Sequence, residues 1–254
     1  MSFHYSPKIV TDGLILYLDA ANKRSYSSDV TWSDLSVNDY THSLINSPTF
    51  SITNGGSIRF DGTNEFVSHY YSSGDKYHLG ITKKMTIDIW IKWDQLVRNL
   101  DGGIAYGLLF GNASVGHLQW QFFKHVSGSN TRWSFGVVNT TSGYYLNQIN
   151  GDPTFTPSVT MMENTWYNFT YTYNGFTPTI VGYINGLTAG GSISGTNPTT
   201  FANPVTFDAI TLGGSLQGLY SQLGNIGIVR VYNRDLSPSE VLQNYNSNKS
   251  RFGL

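Results

Sequence analysis

Apolar and polar positions alternate along most of this chain. Residues 85–93 (MTIDIWIKW) set Ile87, Ile89, Ile91 and Trp93 against Thr86, Asp88, Trp90 and Lys92. A period of two marks a strand, because successive side chains leave a pleated backbone on opposite faces. Residues 166–173 (WYNFTYTY) gather Tyr167, Phe169, Tyr171 and Tyr173 on one face. Residues 13–20 (GLILYLDA) place Leu14, Leu16 and Leu18 opposite Ile15, Tyr17 and Asp19. Residues 57–67 (SIRFDGTNEFV) form two short strands around an Asp61-Gly62 turn. Residues 118–123 and 132–138 form a pair joined across Ser127-Gly128-Ser129-Asn130, and 179–184, 205–212 and 226–232 complete the set. Asn185-Gly186 is the strongest hairpin signal, since both central positions of such a turn favour φ > 0.

One segment departs from this period. Leu236-Ser237-Pro238-Ser239-Glu240-Val241 combines an N-cap serine, a glutamate placed to complete a capping box, and a staple between Leu236 and Val241. Pro238 stands at the first helical position, where a missing N–H costs nothing. A short helix over 238–245 is expected. Many strands and one short helix predict an antiparallel two-sheet sandwich. No linker interrupts it: the polar stretch 190–204 is followed directly by new strand signals, so residues 1–254 are expected to form one domain.

Composition narrows the function more than the fold. Charged residues make up 12% of the chain and the formal net charge is -1. No basic run is long enough to neutralise a line of phosphates, which argues against nucleic acid as a partner. The chain has no cysteine, so disulfides, thiolate metal sites and cysteine nucleophiles are excluded. The opening MSFHYSPKIV lacks the basic-then-apolar pattern of a secretory signal, and no apolar run reaches the length of a membrane span. Membrane insertion is therefore not expected.

Four stretches, in order, resemble the laminin G-like branch of the concanavalin A-like jelly rolls. They are GLILYLDA with WSDLS at 32–36, FDGTNEFV at 60–67, WYNFTYTYNG at 166–175 with GYING at 182–186, and IGIVRVYNRDLS at 226–237. The resemblance implies an all-β, two-sheet antiparallel jelly-roll sandwich with one short C-terminal helix. The ends are narrower in kind. LDAANKRSY near the start and YNRDLSPSEVLQNYNSNKSRFGL at the close resemble structural proteins of tailed bacteriophages, particularly those of marine and cyanobacterial hosts. That likeness implies a virion component assembled in the host cytoplasm, with other virion proteins as partners. Two roles follow from it: an adhesin on tail or capsid that recognises host surface polysaccharide, and a purely structural capsid decoration or tail component. A homo-oligomer is compatible with either. Phe252 and Leu254 at the end of the chain either fold back or meet a partner.

An enzyme is not expected. Hydrolases of this fold use a Glu-x-Asp-x-x-Glu strand, since glycoside hydrolysis needs two carboxylates about the scissile bond. The nearest match here, Thr86 to Ile91, lacks both glutamates and keeps Asp88, which is expected to face solvent. A glycoside hydrolase remains the remote alternative. The six histidines form no metal-binding or triad spacing, and neither a nucleophile elbow nor a phosphate-binding loop is present. Calcium is the one metal the resemblance implies, with Asp61 and Asn64 as oxygen ligands. Many relatives carry an acid where this chain has Gly227, which weakens that implication. For saccharides, which stack on aromatic rings, the loop tyrosines Tyr70, Tyr71, Tyr144, Tyr145 and Tyr220 are the candidates. Each also has a plain reading as a residue packed beneath a loop.

Overall fold

The strand-forming segments pair as their alternation requires. The structure is a computed structural model and describes residues 8–27, 30–96, 104–111, 118–127, 130–139, 143–150, 160–201, 203, 205 and 208–254. In chain order the strands are β1 (Leu14–Asp19), β2 (Thr31–Ser33), β3 (Thr41–Ile45), β4 (Thr49–Ser51), β5 (Ser57–Asp61) and β6 (Phe66–Tyr70). Next come β7 (Lys84–Trp93), β8 (Ile104–Gly111), β9 (Trp120–Ser127), β10 (Asn130–Asn139), β11 (Gly143–Asn150) and β12 (Trp166–Asn174). The series ends with β13 (Thr179–Ile184), β14 (Leu187–Gly190), β15 (Ser192–Gly195), β16 (Ala209–Leu212) and β17 (Leu223–Tyr232). A single turn of helix, α1 (Leu79–Thr82), precedes β7, and α2 (Pro238–Asn248) follows β17.

Two antiparallel sheets result. Sheet A runs β14-β13-β12-β7-β17-β5-β4, with β1 also on β17; sheet B runs β15-β11-β10-β9-β8-β16-β6-β3-β2. The inner faces share one core. Ile87, Ile89, Ile91 and Trp93 of β7 and Phe169, Tyr171 and Tyr173 of β12 meet Trp120, Phe122, Trp133 and Phe135 of sheet B. Rings interlock across the gap: Phe169 lies 5.2 Å from Phe122 and 6.0 Å from Trp133 between centroids. Burial of a side chain of this size contributes on the order of 2–3 kcal/mol, so the aromatic layer is what joins the sheets. The Asn185-Gly186 hairpin is present between β13 and β14, with φ of 51° and 76°.

The capped helix is present and runs to Asn248, past residue 245 where its signal fades. The Ser237 side chain accepts from the Glu240 amide and the Glu240 carboxylate accepts from the Ser237 amide, closing the capping box. Leu236 and Val241 pack together with Tyr183 and Tyr232. A 3-10 turn, Lys249–Phe252, then lays Phe252 over sheet A, 4.3 Å from Trp90 and parallel to it, while Leu254 stays exposed.

Three local expectations change. Asp88 does not face solvent: the outer face of β7 is covered by α2 and the turn after it, and Asp88 is fully buried against Arg230. Asp61-Gly62 is not a hairpin turn. β5 pairs with β17 and β4 in sheet A, whereas β6 pairs with β16 and β3 in sheet B, so the turn carries the chain from one sheet to the other. In β1 a bulge between Leu14 and Leu16 breaks the alternation. Ile15 joins Leu16 and Leu18 in the core, and Leu14 turns towards the helix-covered side.

Candidate functional site

Sheet B turns its second face away from the core, and that face carries a pocket. Cross-strand register places Leu146 of β11, Gly136 of β10, Gln121 of β9 and Leu109 of β8 in one row. The neighbouring row holds Gln148, Ser134, Phe123 and Tyr106. Gly136 has a structural reason: a Cβ there would collide with Leu146 Cδ2, so its absence lets Leu146 lie across the sheet. Another bulge, between Tyr106 and Leu108, keeps Tyr106 outside while Leu108 enters the core.

The pocket holds about 180 Å³ and is lined by Ile104, Tyr106, Gln121, Phe123 and Leu146. This is below the roughly 300 Å³ at which drug-sized ligand sites begin, so it has room for one ring. The Tyr106 ring meets Phe123 edge-to-face at 6.2 Å and Tyr220 at 5.2 Å. Tyr220 is held there by its own backbone, with φ of 58° and its carbonyl accepting from the Tyr106 amide at 2.9 Å. Gln121 is 4% exposed, and among the described residues neither its Oε1 nor the fully buried Ser134 Oγ one row away has a hydrogen-bond partner. An unpaired buried acceptor costs about 1–3 kcal/mol. A ligand hydroxyl reaching Gln121 would recover that. One row further, His125 faces Arg132 across β9 and β10. Burial, and then the Arg132 guanidinium, hold the His125 imidazole below its ordinary range. Among the described residues the lining contributes aromatic edges, one amide and no carboxylate.

The tyrosines chosen from sequence do not come together. Tyr220 packs edge-to-face on Tyr106 beside this pocket but does not line it. Tyr144 and Tyr145 lie in β11 rather than in a loop, and the Tyr144 side chain falls outside the described residues. Tyr145 belongs to the core, its hydroxyl donating to the Pro178 carbonyl at 2.6 Å, so its ring offers no free face. Tyr70 is 58% exposed at the end of β6, two strands from β8, and Tyr71 packs against Phe110 at 6.2 Å. Phe123, Tyr106 and Gln121 were not singled out by the sequence. One signal was available: in the doublet Phe122-Phe123 one ring must face outward.

The calcium ligands fit poorly. Asp61 Oδ1 accepts from the Thr63 amide at 2.7 Å, and the Asp61 amide donates to Glu65 at 2.6 Å, which closes the turn on itself. Asn64 is exposed and its carbonyl is taken by Asn46. Among the described residues no three His, Asp or Glu side chains are grouped to hold a metal. Gly227 faces Phe252: a Cβ would lie 2.9 Å from that ring.

Comparisons with known proteins agree with this architecture. Residues 61–242 match the family model Laminin_G_3, described as the concanavalin A-like lectin/glucanases superfamily. Among solved structures, the receptor binding domain of botulinum neurotoxin C/D mosaic serotype is 14% identical with a TM-score of 0.66, covering 93% of this chain and 51% of that one. The serotype D ligand binding domain, in complex with N-acetylneuraminic acid, is 14% identical with a TM-score of 0.61, covering 93% and 51%. The chain thus spans about half the length of these toxin domains. Domain 4 of a GH43 extracellular arabinanase from Geobacillus stearothermophilus, in complex with arabinotriose, is 14% identical with a TM-score of 0.59, covering 93% of this chain and 100% of that one. At such identities the likeness is one of fold. No curated protein matches the sequence.

Proposed function

We propose that this chain, which belongs to the concanavalin A-like lectin/glucanases superfamily, is a non-catalytic saccharide-binding protein. The observation that carries this reading is the buried Gln121 Oε1, without a partner among the described residues, inside a pocket edged by Tyr106 and Phe123. A sugar ring presents an apolar C–H face to an aromatic side chain and hydroxyls to an amide, so it matches both halves of the lining. Support also comes from two structures of the same fold solved with bound sugars, N-acetylneuraminic acid and arabinotriose. Hydrolysis fits less well. It needs a pair of carboxylates, the described lining has none, and Asp88 is committed to Arg230 beneath the C-terminal segment.

The saccharide is assigned to the surface of a bacterial host, and the protein to a tailed-phage particle among other virion proteins, on tail or capsid. This assignment rests on the wording of the two ends of the sequence. A structural role in the same particle has one feature in its favour: Val37 is 96% exposed and Leu187 67%. Such apolar residues suit a surface packed against neighbours.

Titration calorimetry against a panel of neutral and acidic oligosaccharides tests the binding role. At least one sugar should saturate, and Phe123→Ala should weaken it about tenfold or more with an unchanged melting temperature. Binding unaffected by Phe123→Ala and Gln121→Ala, or no binding at all, overturns the assignment of this pocket. Gold-labelled antibody on purified phage locates the protein, and its absence from particles overturns the virion role.

A further inference from the structure

We infer that a second ligand site, independent of the outer-face pocket, lies beside the edge strand β4 and takes an acidic sugar ring. A groove of about 490 Å³ opens there, between the 20–27 segment and the 50–55 segment. One wall is aromatic. Tyr26 and Phe50 stack face to face, 5.0 Å apart and 12° from parallel. Tyr26 is the buried member, and Phe50 is 39% exposed, so the pair turns a supported flat ring outward. Ile52 lines the same groove and is 82% exposed.

The wall is built rather than incidental. Arg251 donates from Nε to the Asn54 carbonyl at 2.8 Å and from Nη2 to the Gly56 carbonyl at 2.6 Å. Asn54 in turn donates to the Arg251 carbonyl and accepts from Trp166 Nε1, so side chains distant in sequence hold the segment. A site held in shape before binding loses less entropy when its ligand arrives.

Charge selects the ligand. Asp19 is neutralised by Arg251 at 2.6 Å. Among the described residues Lys23 is the only charged one in the lining, is exposed, and makes no ion pair or hydrogen bond. Among the described residues the groove therefore offers one positive charge, that of Lys23, next to an exposed aromatic ring. A uronic acid unit meets both: its C–H face lies on Phe50, its carboxylate on Lys23, and its hydroxyls remain hydrated.

The test is calorimetric titration of the intact chain with trigalacturonate and with neutral galactotriose. Trigalacturonate should bind more tightly than galactotriose, and raising salt should erase the difference, because exposed charges are screened. Lys23→Gln should remove the preference, Phe50→Ala or Ile52→Ala should weaken trigalacturonate about tenfold, and Phe123→Ala should leave it unchanged. Three results overturn the site: no saturation at millimolar trigalacturonate, wild-type affinity in Lys23→Gln or in both apolar variants, and a loss in Phe123→Ala alone. The last would return the sugar to the outer-face pocket. Melting temperatures of the variants separate lost binding from lost folding.

Discussion

Arg230 donates from Nη1 to Asp88 Oδ2 at 2.9 Å, with both side chains wholly out of solvent. Asn168 supplies the other carboxylate oxygen with a donor at 2.5 Å, and the guanidinium lies 5.1 Å from the Tyr17 ring. Burial alone would lower the Arg230 pKa, but the Asp88 charge overcomes it and raises that pKa above the ordinary arginine range. Removing one member of such a pair strands a buried charge. Asp88→Ala should therefore cost about 3–5 kcal/mol, whereas replacing both by apolar residues, as in Asp88→Leu with Arg230→Met, should recover most of that. Urea denaturation measures both. A single variant within 1 kcal/mol of wild type would contradict the buried pair.

The closing turn of the chain should matter as much. Phe252 stacks on Trp90 at 4.3 Å and meets Trp166 at 4.7 Å, above the missing side chain of Gly227. Phe252→Ala should cost about 3–5 kcal/mol, the range for deleting a buried ring, and shift tryptophan emission. Gly227→Ala should destabilise by pushing Phe252 off its seat. If melting temperatures are unchanged in both variants, the turn does not seal sheet A.

Acid should loosen the protein through His42. Its ring is fully buried, 5.2 Å from His69 between centroids. Burial, reinforced by His69, lowers its pKa to about 3. The unfolded chain binds that proton near pH 6.5. Stability from the neutral ring is thus present above about pH 6.5 and is lost as pH falls towards 3, by at most about 1.4 kcal/mol per pH unit. His42→Phe removes this titration, so its melting temperature should fall less steeply between pH 6 and 4 than that of wild type. Identical slopes would exclude His42 as the source.

Calcium should have little effect. Asp61 already accepts from the Thr63 amide within its own turn, the neighbouring Glu65 carboxylate is taken by the Asp61 amide, and among the described residues no third His, Asp or Glu joins them. Millimolar Ca²⁺ added to chelator-treated protein should leave its melting temperature unchanged, because a ligand stabilises only through differential binding to the folded state. A rise that disappears in Asp61→Ala would reinstate the site.

What the amino-acid order determined by itself was local. The period of two in 85–93 and 166–173 gave strands and told which side chains meet the core, because a pleated backbone has only two faces. The Ser237, Pro238 and Glu240 signals gave the helix start, since a cap is satisfied within four residues. The Asn185-Gly186 hairpin was equally legible. Tertiary structure decided the rest. Whether Asp61-Gly62 joins neighbours in one sheet or crosses between two depends on partners more than a hundred residues away, β17 and β16. Asp88 looks solvent-facing until residues 238–252 are laid over it, and nothing near position 88 records that cover. The pocket at Gln121 is assembled from β8, β9 and β11, whose register with β10 sets Phe123 beside Tyr106 in one row and Leu146 with Gln121 in the next. Tyr145, one residue after Tyr144, is committed to the core by the same register. A single strand carries its pleat in its sequence; which strand lies beside it is set by the packing of the whole sandwich.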